Sequence, residues 1–167
     1  MDLIDFLMNV VQDPVMYSLV FFVYVILAAV ILPIPVEIGL FNSYINPIWL
    51  IFLLAIGKGI GSLIAFEIGT RVRGGLKKRR YRNSLMKSII GWCENFVKRY
   101  GYYGLFVIMS IPLMIDSATL YLFSLLNPRH EKGGMSRNWF VLINVFAGAT
   151  RGAIILVIAY LFSVKLV

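Results

Sequence analysis

The chain has 167 residues, 60 % of them hydrophobic, and 16 Lys and Arg against 8 Asp and Glu give a net charge of +8. Apolar runs at 15–36, 48–68, 102–115 and 139–164 match or approach the ~20 residues that cross a ~30 Å hydrocarbon core, where a soluble helix of that length would show a polar face. The reading is an all-α integral membrane protein of one domain (residues 1–167), which excludes a separate soluble domain.

Residues 1–13 set Leu3, Ile4, Phe6, Leu7, Val10 and Val11 against Asp2, Asp5, Asn9 and Gln12, an amphipathic helix expected to lie on the membrane surface. The absence of Lys and Arg in this stretch argues against a cleavable signal peptide. A first repeat spans 15–72. Its helix arrives from Val15 and is broken by Pro33 and Pro35, because proline removes a backbone donor and clashes with the preceding turn. In hydrocarbon such a break is tolerated only where protein or a water-filled cavity satisfies the freed groups. Glu37 follows at once. A carboxylate in a membrane segment costs roughly 2.5 kcal/mol or more, so Glu37 reads as an ion, proton or substrate site, with a place at the interface as the plainer alternative. The segment is a re-entrant hairpin, or a full span followed by a shallow re-entrant turn; both stay open.

In the helix over 48–68, Gly57, Gly61, Ala65 and Gly69 recur every four residues, a small-residue stripe that another helix can approach closely. Lys58 interrupts the helix near its middle. Glu67 is either a second coupling acid or the i,i+4 partner of Arg71. The connection over 73–100 is basic: Arg71, Arg73, Lys77, Lys78, Arg79, Arg80, Arg82, Lys87, Lys98 and Arg99 cluster in and beside it, which places it on the cytoplasmic side. Its expected partners are anionic lipid headgroups, not nucleic acid. Residues 84–100 repeat apolar positions at helical spacing, an interfacial helix with Trp92 at headgroup level or one packed on a soluble partner.

The second repeat spans 101–165. It starts at Gly101-Tyr102-Tyr103-Gly104, meets Pro112, carries Asp116 four residues later, and leaves at Asn127-Pro128. Arg129, Lys132 and Arg137 in the following loop place that exit on the cytoplasmic side as well, so the segment enters and leaves on one side. His130 reads as a solvated loop residue. The final helix sets Phe140, Asn144, Gly148 and Arg151 on one face.

The halves share an order: an apolar leg, a proline, an acid four residues on (Pro33 and Glu37, Pro112 and Asp116), Asn-Pro, Trp, and a glycine-containing helix with a cation. If the first hairpin opens outward, they form an inverted repeat with both acids facing a shared cavity, which is a transporter architecture. One His and one Cys, without HxxE, CxxC or Gly-x-Ser-x-Gly patterns, point to neither an enzyme nor a metal site, and no cofactor is expected. The lone Cys93 cannot form an internal disulfide.

Pro33-x-Pro35-x-Glu37, the stretch from Gly57 through Gly61 and Phe66 to Gly69, Tyr100-Gly101-Tyr102-Tyr103-Gly104 leading to Ile111-Pro112, and Phe140-x3-Asn144-x3-Gly148-Ala149 together resemble the DedA family of the VTT (SNARE-associated Golgi protein) superfamily, as a divergent member. The resemblance covers about residues 33–160. It implies two opposed re-entrant segments and translocation of polyprenyl phosphate or phospholipid, proton-driven in some members. The chain departs from the family pattern at Ser62 (usually Asp), Phe66 (usually Tyr), and Met109 and Ile115 (usually Arg), leaving Lys58 and Arg151 to supply cationic charge.

The expected function is a plasma-membrane, multi-pass flippase or scramblase for phosphate-bearing lipid. Glu37, Asp116 and Glu67 are the coupling acids, Lys58, Arg151 and Asn144 the headgroup contacts, and Pro33, Pro35 and Pro112 the helix breaks. The alternatives are a proton-coupled small-molecule exporter and a non-transporting membrane-shaping protein. A homodimer is compatible with all three.

Overall fold

The computed structural model describes residues 11–32, 34–42, 44–78, 84–125, 127 and 135–161; for 73–78, 84–94, 96 and 98 it describes the backbone alone. Residues 1–10 of the amphipathic N-terminus, Pro33, the basic residues Arg79, Arg80 and Arg82, and Arg129, His130 and Lys132 lie outside these.

Asp13 caps the first helix, α1 (Pro14–Val30). Its carboxylate accepts the N–H groups of Val15 (2.8 Å) and Met16 (3.3 Å) ahead of a proline in the first turn, where a missing donor does no harm. The helix ends at Val30, ahead of the two prolines, where Ile31 leaves the helical region at φ −131°. Past Pro35 the chain makes one short 3-10 helix, Val36–Leu40. This return leg is laced to α1: Tyr24 donates to the Pro35 carbonyl (3.0 Å), Tyr17 to that of Gly39 (2.8 Å), and Asn42 to that of Val11 (3.1 Å). The first leg therefore folds back on itself. A side chain at Gly39 would run into the Phe21 ring.

The long helices α2 (Pro47–Lys78) and α5 (Arg137–Leu161) form the centre. Over Pro47–Val72 and Arg137–Leu161 they are long and apolar enough to cross a membrane, about 37–39 Å at 1.5 Å per residue. They run antiparallel. Gly152 lies against Ile51, Gly148 against Ala55, and Gly59 against Val145, and a Cβ built on Gly148 would stand 3.1 Å from the Ala55 Cα. The small-residue stripe of α2 does receive neighbours, but two rather than one. Gly57 and Gly61 seat Val25 and Ala29 of α1, while Gly69 seats Ser124 of α4 (Asp116–Leu125). Removing side chains lets the backbones approach until dispersion contacts accumulate, the main source of helix adhesion where water is excluded.

Between α2 and α4 in the chain runs α3 (Ser84–Ser110), bent at Gly101, whose φ of +41° only glycine adopts freely. Pro112 stops α3, and a turn over 111–115 leads into α4. At the base of this hairpin the Ser136 N–H donates to the Tyr102 hydroxyl (2.7 Å), Asn127 exchanges hydrogen bonds with the Met135 backbone (2.7 and 2.8 Å), and Arg137 pairs with Glu67 (3.2 Å). The base of α3 and α4, the start of α5 and the far end of α2 thus share one end of the molecule. Val11, Asn42 and the Trp49–Ser18 hydrogen bond mark the other. The linker boundaries at 72/73 and 100/101 fall inside helices: α2 continues to Lys78, and the second boundary is the Gly101 bend.

Among the described residues the regular structure is all helix. Among the described residues Val15, Ile48 and Trp139 are more than half exposed, while Lys58, Asn144 and Arg151 are buried almost completely. Lys and Arg are almost never fully buried unless paired, so the two cations mark the interior.

Candidate functional site

Four ionisable side chains from four different elements meet in the interior: Glu37 from the first turn of the 3-10 helix, Lys58 from α2, Asp116 from the first turn of α4 and Arg151 from α5. Each is at least 95 % buried. Arg151 is the hub. Its Nη1 donates to Asp116 Oδ1 (2.6 Å) and its Nη2 to the Met114 carbonyl (3.0 Å), while Nε and Nη2 both meet Glu37 Oε1. Lys58 Nζ reaches the same Asp116 oxygen at 3.2 Å and the Met109 carbonyl at 3.3 Å. The two positive and two negative charges cancel. A lone charge in a dry interior costs several kcal/mol, and the pairing within the cluster offsets that cost.

The breaks in the chain build this geometry. Pro35, itself in an extended conformation, leads into the 3-10 turn that carries Glu37 inward, and Pro112 follows the end of α3, so the turn after it can present backbone groups to the cluster. Leu113 adopts φ +62°, unusual for a residue with a bulky side chain, and its N–H donates to Glu37 Oε1 at 2.9 Å. The donors that reach Glu37 fall on Oε1; Oε2 is buried and has no donor among the described residues. Each acid of the cluster pairs across the molecule, with a cation from another element.

The sequence places Glu37, Asp116, Lys58 and Arg151 in one site, and the structure brings these four together. Glu67 and Asn144 are not part of the cluster. Glu67 sits at the end of the helix pair, partly exposed, where its ion pair is with Arg137 across the bundle rather than with Arg71 on its own helix. Asn144 is buried two turns before Arg151, donates to its own helix at the Phe140 carbonyl (2.8 Å), and leaves Oδ1 without a donor among the described residues. Pro33 lies outside the described residues. Sequence reasoning missed the Leu113 N–H and the Met109 and Met114 carbonyls. Backbone groups leave no mark in a sequence, and only Pro112, four residues before Asp116, hinted that this turn would have them free.

Among the described residues no three His, Cys, Asp or Glu side chains come together; the two acids that do meet are paired with cations. What the cluster can do chemically is exchange partners: either cation can release a carboxylate for another anion, provided the charge balance is kept. Comparisons with protein-family models, with curated proteins and with solved structures return no match.

Proposed function

We propose that the protein is a multi-pass membrane transporter of the DedA type, a flippase or scramblase for phosphate-bearing lipid, in which the Glu37–Arg151–Asp116–Lys58 cluster is the headgroup and coupling site. The observation that carries this reading is the convergence of two acids and two cations, buried, from both halves of the chain. Ionisable groups inside a membrane segment are costly and mark substrate or proton pathways. On this reading the segments 14–42 and 102–127 are re-entrant hairpins of an inverted repeat. Their contacts at opposite ends of the α2–α5 pair, and the position of each acid just past a break, support it.

The mechanism follows from charge balance. An anionic headgroup that takes a place on Arg151 or Lys58 adds negative charge to a site whose charges already cancel. Uptake of a proton by Glu37 or Asp116 offsets that charge, so headgroup binding and proton binding favour each other. The two fixed cations disfavour a cationic substrate. Reconstitution into liposomes with labelled lipids tests the proposal: Glu37→Gln and Asp116→Asn are expected to abolish flux while the protein still purifies as a folded, monodisperse species, and full flux in both rejects it.

A second reading has its own support. Both cationic groups hold a carboxylate and a backbone carbonyl, as a static lock between the hairpins in a non-transporting protein would. No flux from the unaltered protein in the same assay selects that reading.

A further inference from the structure

Two apolar grooves flank the outer face of α5. One, of about 600 Å³, is bordered by Tyr102, Tyr103, Phe106, Trp139 and Ile143; the other, of about 580 Å³, by Leu63, Val141 and Val145, with Arg137 and Asn138 at its end. Leu142 and Phe146 border both and form the ridge between them. Cationic groups collect at one end, while Phe146 and Thr150 border the other. Arg137 and Asn138 begin α5, Trp139 packs its ring against Tyr102 at 6.5 Å, and Arg71 and Arg99 are exposed on the neighbouring helices. Among the described side chains at that end, three arginines face a single acid, Glu67. Cations and amphipathic rings beside a long apolar surface are the arrangement of a membrane-water boundary.

We infer that this face of α5 binds one anionic diacyl phospholipid, its two chains lying on either side of the Leu142–Phe146 ridge and its phosphate at Arg137. The inference rests on the membrane reading above but not on transport, and the site is separate from the buried cluster. Two grooves side by side with charge at one end fit a two-chain lipid. The cations at one end favour the lipid over a second copy of this chain, the competing occupant; of the small residues through which membrane helices associate, Ala147 and Gly148 face inward and are already used, while Thr150 borders the first groove and Ala153 is exposed beyond it. The Arg137–Glu67 pair does not block the headgroup, since exposed pairs contribute little.

Tryptophan quenching tests this. The double variant Trp49→Phe, Trp92→Phe leaves Trp139 as the reporter in the groove, and Trp92→Phe, Trp139→Phe leaves Trp49 at the opposite end as the control. Each is reconstituted into phosphatidylcholine vesicles containing brominated phosphatidylglycerol, or with the label on the phosphatidylcholine instead. Trp139 is expected to prefer phosphatidylglycerol about fivefold, the attraction of one basic residue for an anionic lipid surface. Arg137→Gln and high salt should bring that preference to the level seen at Trp49. Equal quenching of Trp139 by both lipids in vesicle-bound protein overturns the site, as does an unquenched Trp139 in a particle with the mass of two chains, which assigns the face to a second copy. Protein that fails to float with the vesicles overturns the membrane reading along with the site, so the two failures are distinguishable.

Discussion

At the scale of single residues, Arg151 holds the interior together. It touches both acids and the Met114 carbonyl from a position without solvent contact. Breaking a buried pair by removing one partner costs about 3–5 kcal/mol, because the other charge is left uncompensated. Arg151→Leu is therefore expected to lower the unfolding midpoint in detergent steeply, and Arg151→Leu combined with Glu37→Leu to recover part of the loss; a double variant no more stable than the single one would refute the coupling. Glu67→Gln tests the opposite case. Its partly exposed pair with Arg137 is worth about 0–1 kcal/mol, so neither stability nor flux should change measurably.

At the scale of elements, the turn between α3 and α4 is where backbone conformation and site meet. Leu113 holds φ +62° while its N–H serves Glu37, and the left-handed region costs a residue with a side chain about 1–2 kcal/mol. Leu113→Gly is expected to raise the thermal midpoint, because it keeps the N–H and relieves the backbone, whereas Leu113→Val should lower it. A fall with glycine would show that the exposed leucine side chain matters more than its dihedral angle. The glycines of α2 make the complementary case. Gly61 lies against Ala29 and the Ile26 carbonyl, so Gly61→Leu must push α1 away, and overpacking of this kind costs about 1–3 kcal/mol. Loss of the monodisperse peak in size-exclusion chromatography checks it.

At the scale of the whole molecule, the contacts put Arg71 and Arg99 near the end marked by Arg137 and Tyr102, and Tyr44 near the end marked by Asn42 and Trp49. Single cysteines replacing Arg99 and Asn138, which stand exposed before and after the segment 102–127, in a background lacking Cys93, are expected to react with an impermeant maleimide from one side of the membrane, and one replacing Tyr44 from the other. Opposite accessibility of positions 99 and 138 would sink the re-entrant arrangement of 102–127.

The all-helical fold, the two long apolar helices, the breaks at Pro35 and Pro112 and the meeting of Glu37, Lys58, Asp116 and Arg151 were legible in the chain itself. Proline acts on its own backbone, apolar length is counted along the sequence, and a charge stranded in an apolar run has to find a partner. The identity of each partner was decided only in three dimensions. Asp116 accepts from both cations, Glu67 takes Arg137 across the bundle in preference to Arg71 one turn away, and Asn144 stays apart from the cluster although it shares a helix face with Arg151. Spacing along a helix sets the face a residue occupies, but the distance between two elements depends on the glycines and small side chains that let them close, and on turns whose backbone donors no side chain announces.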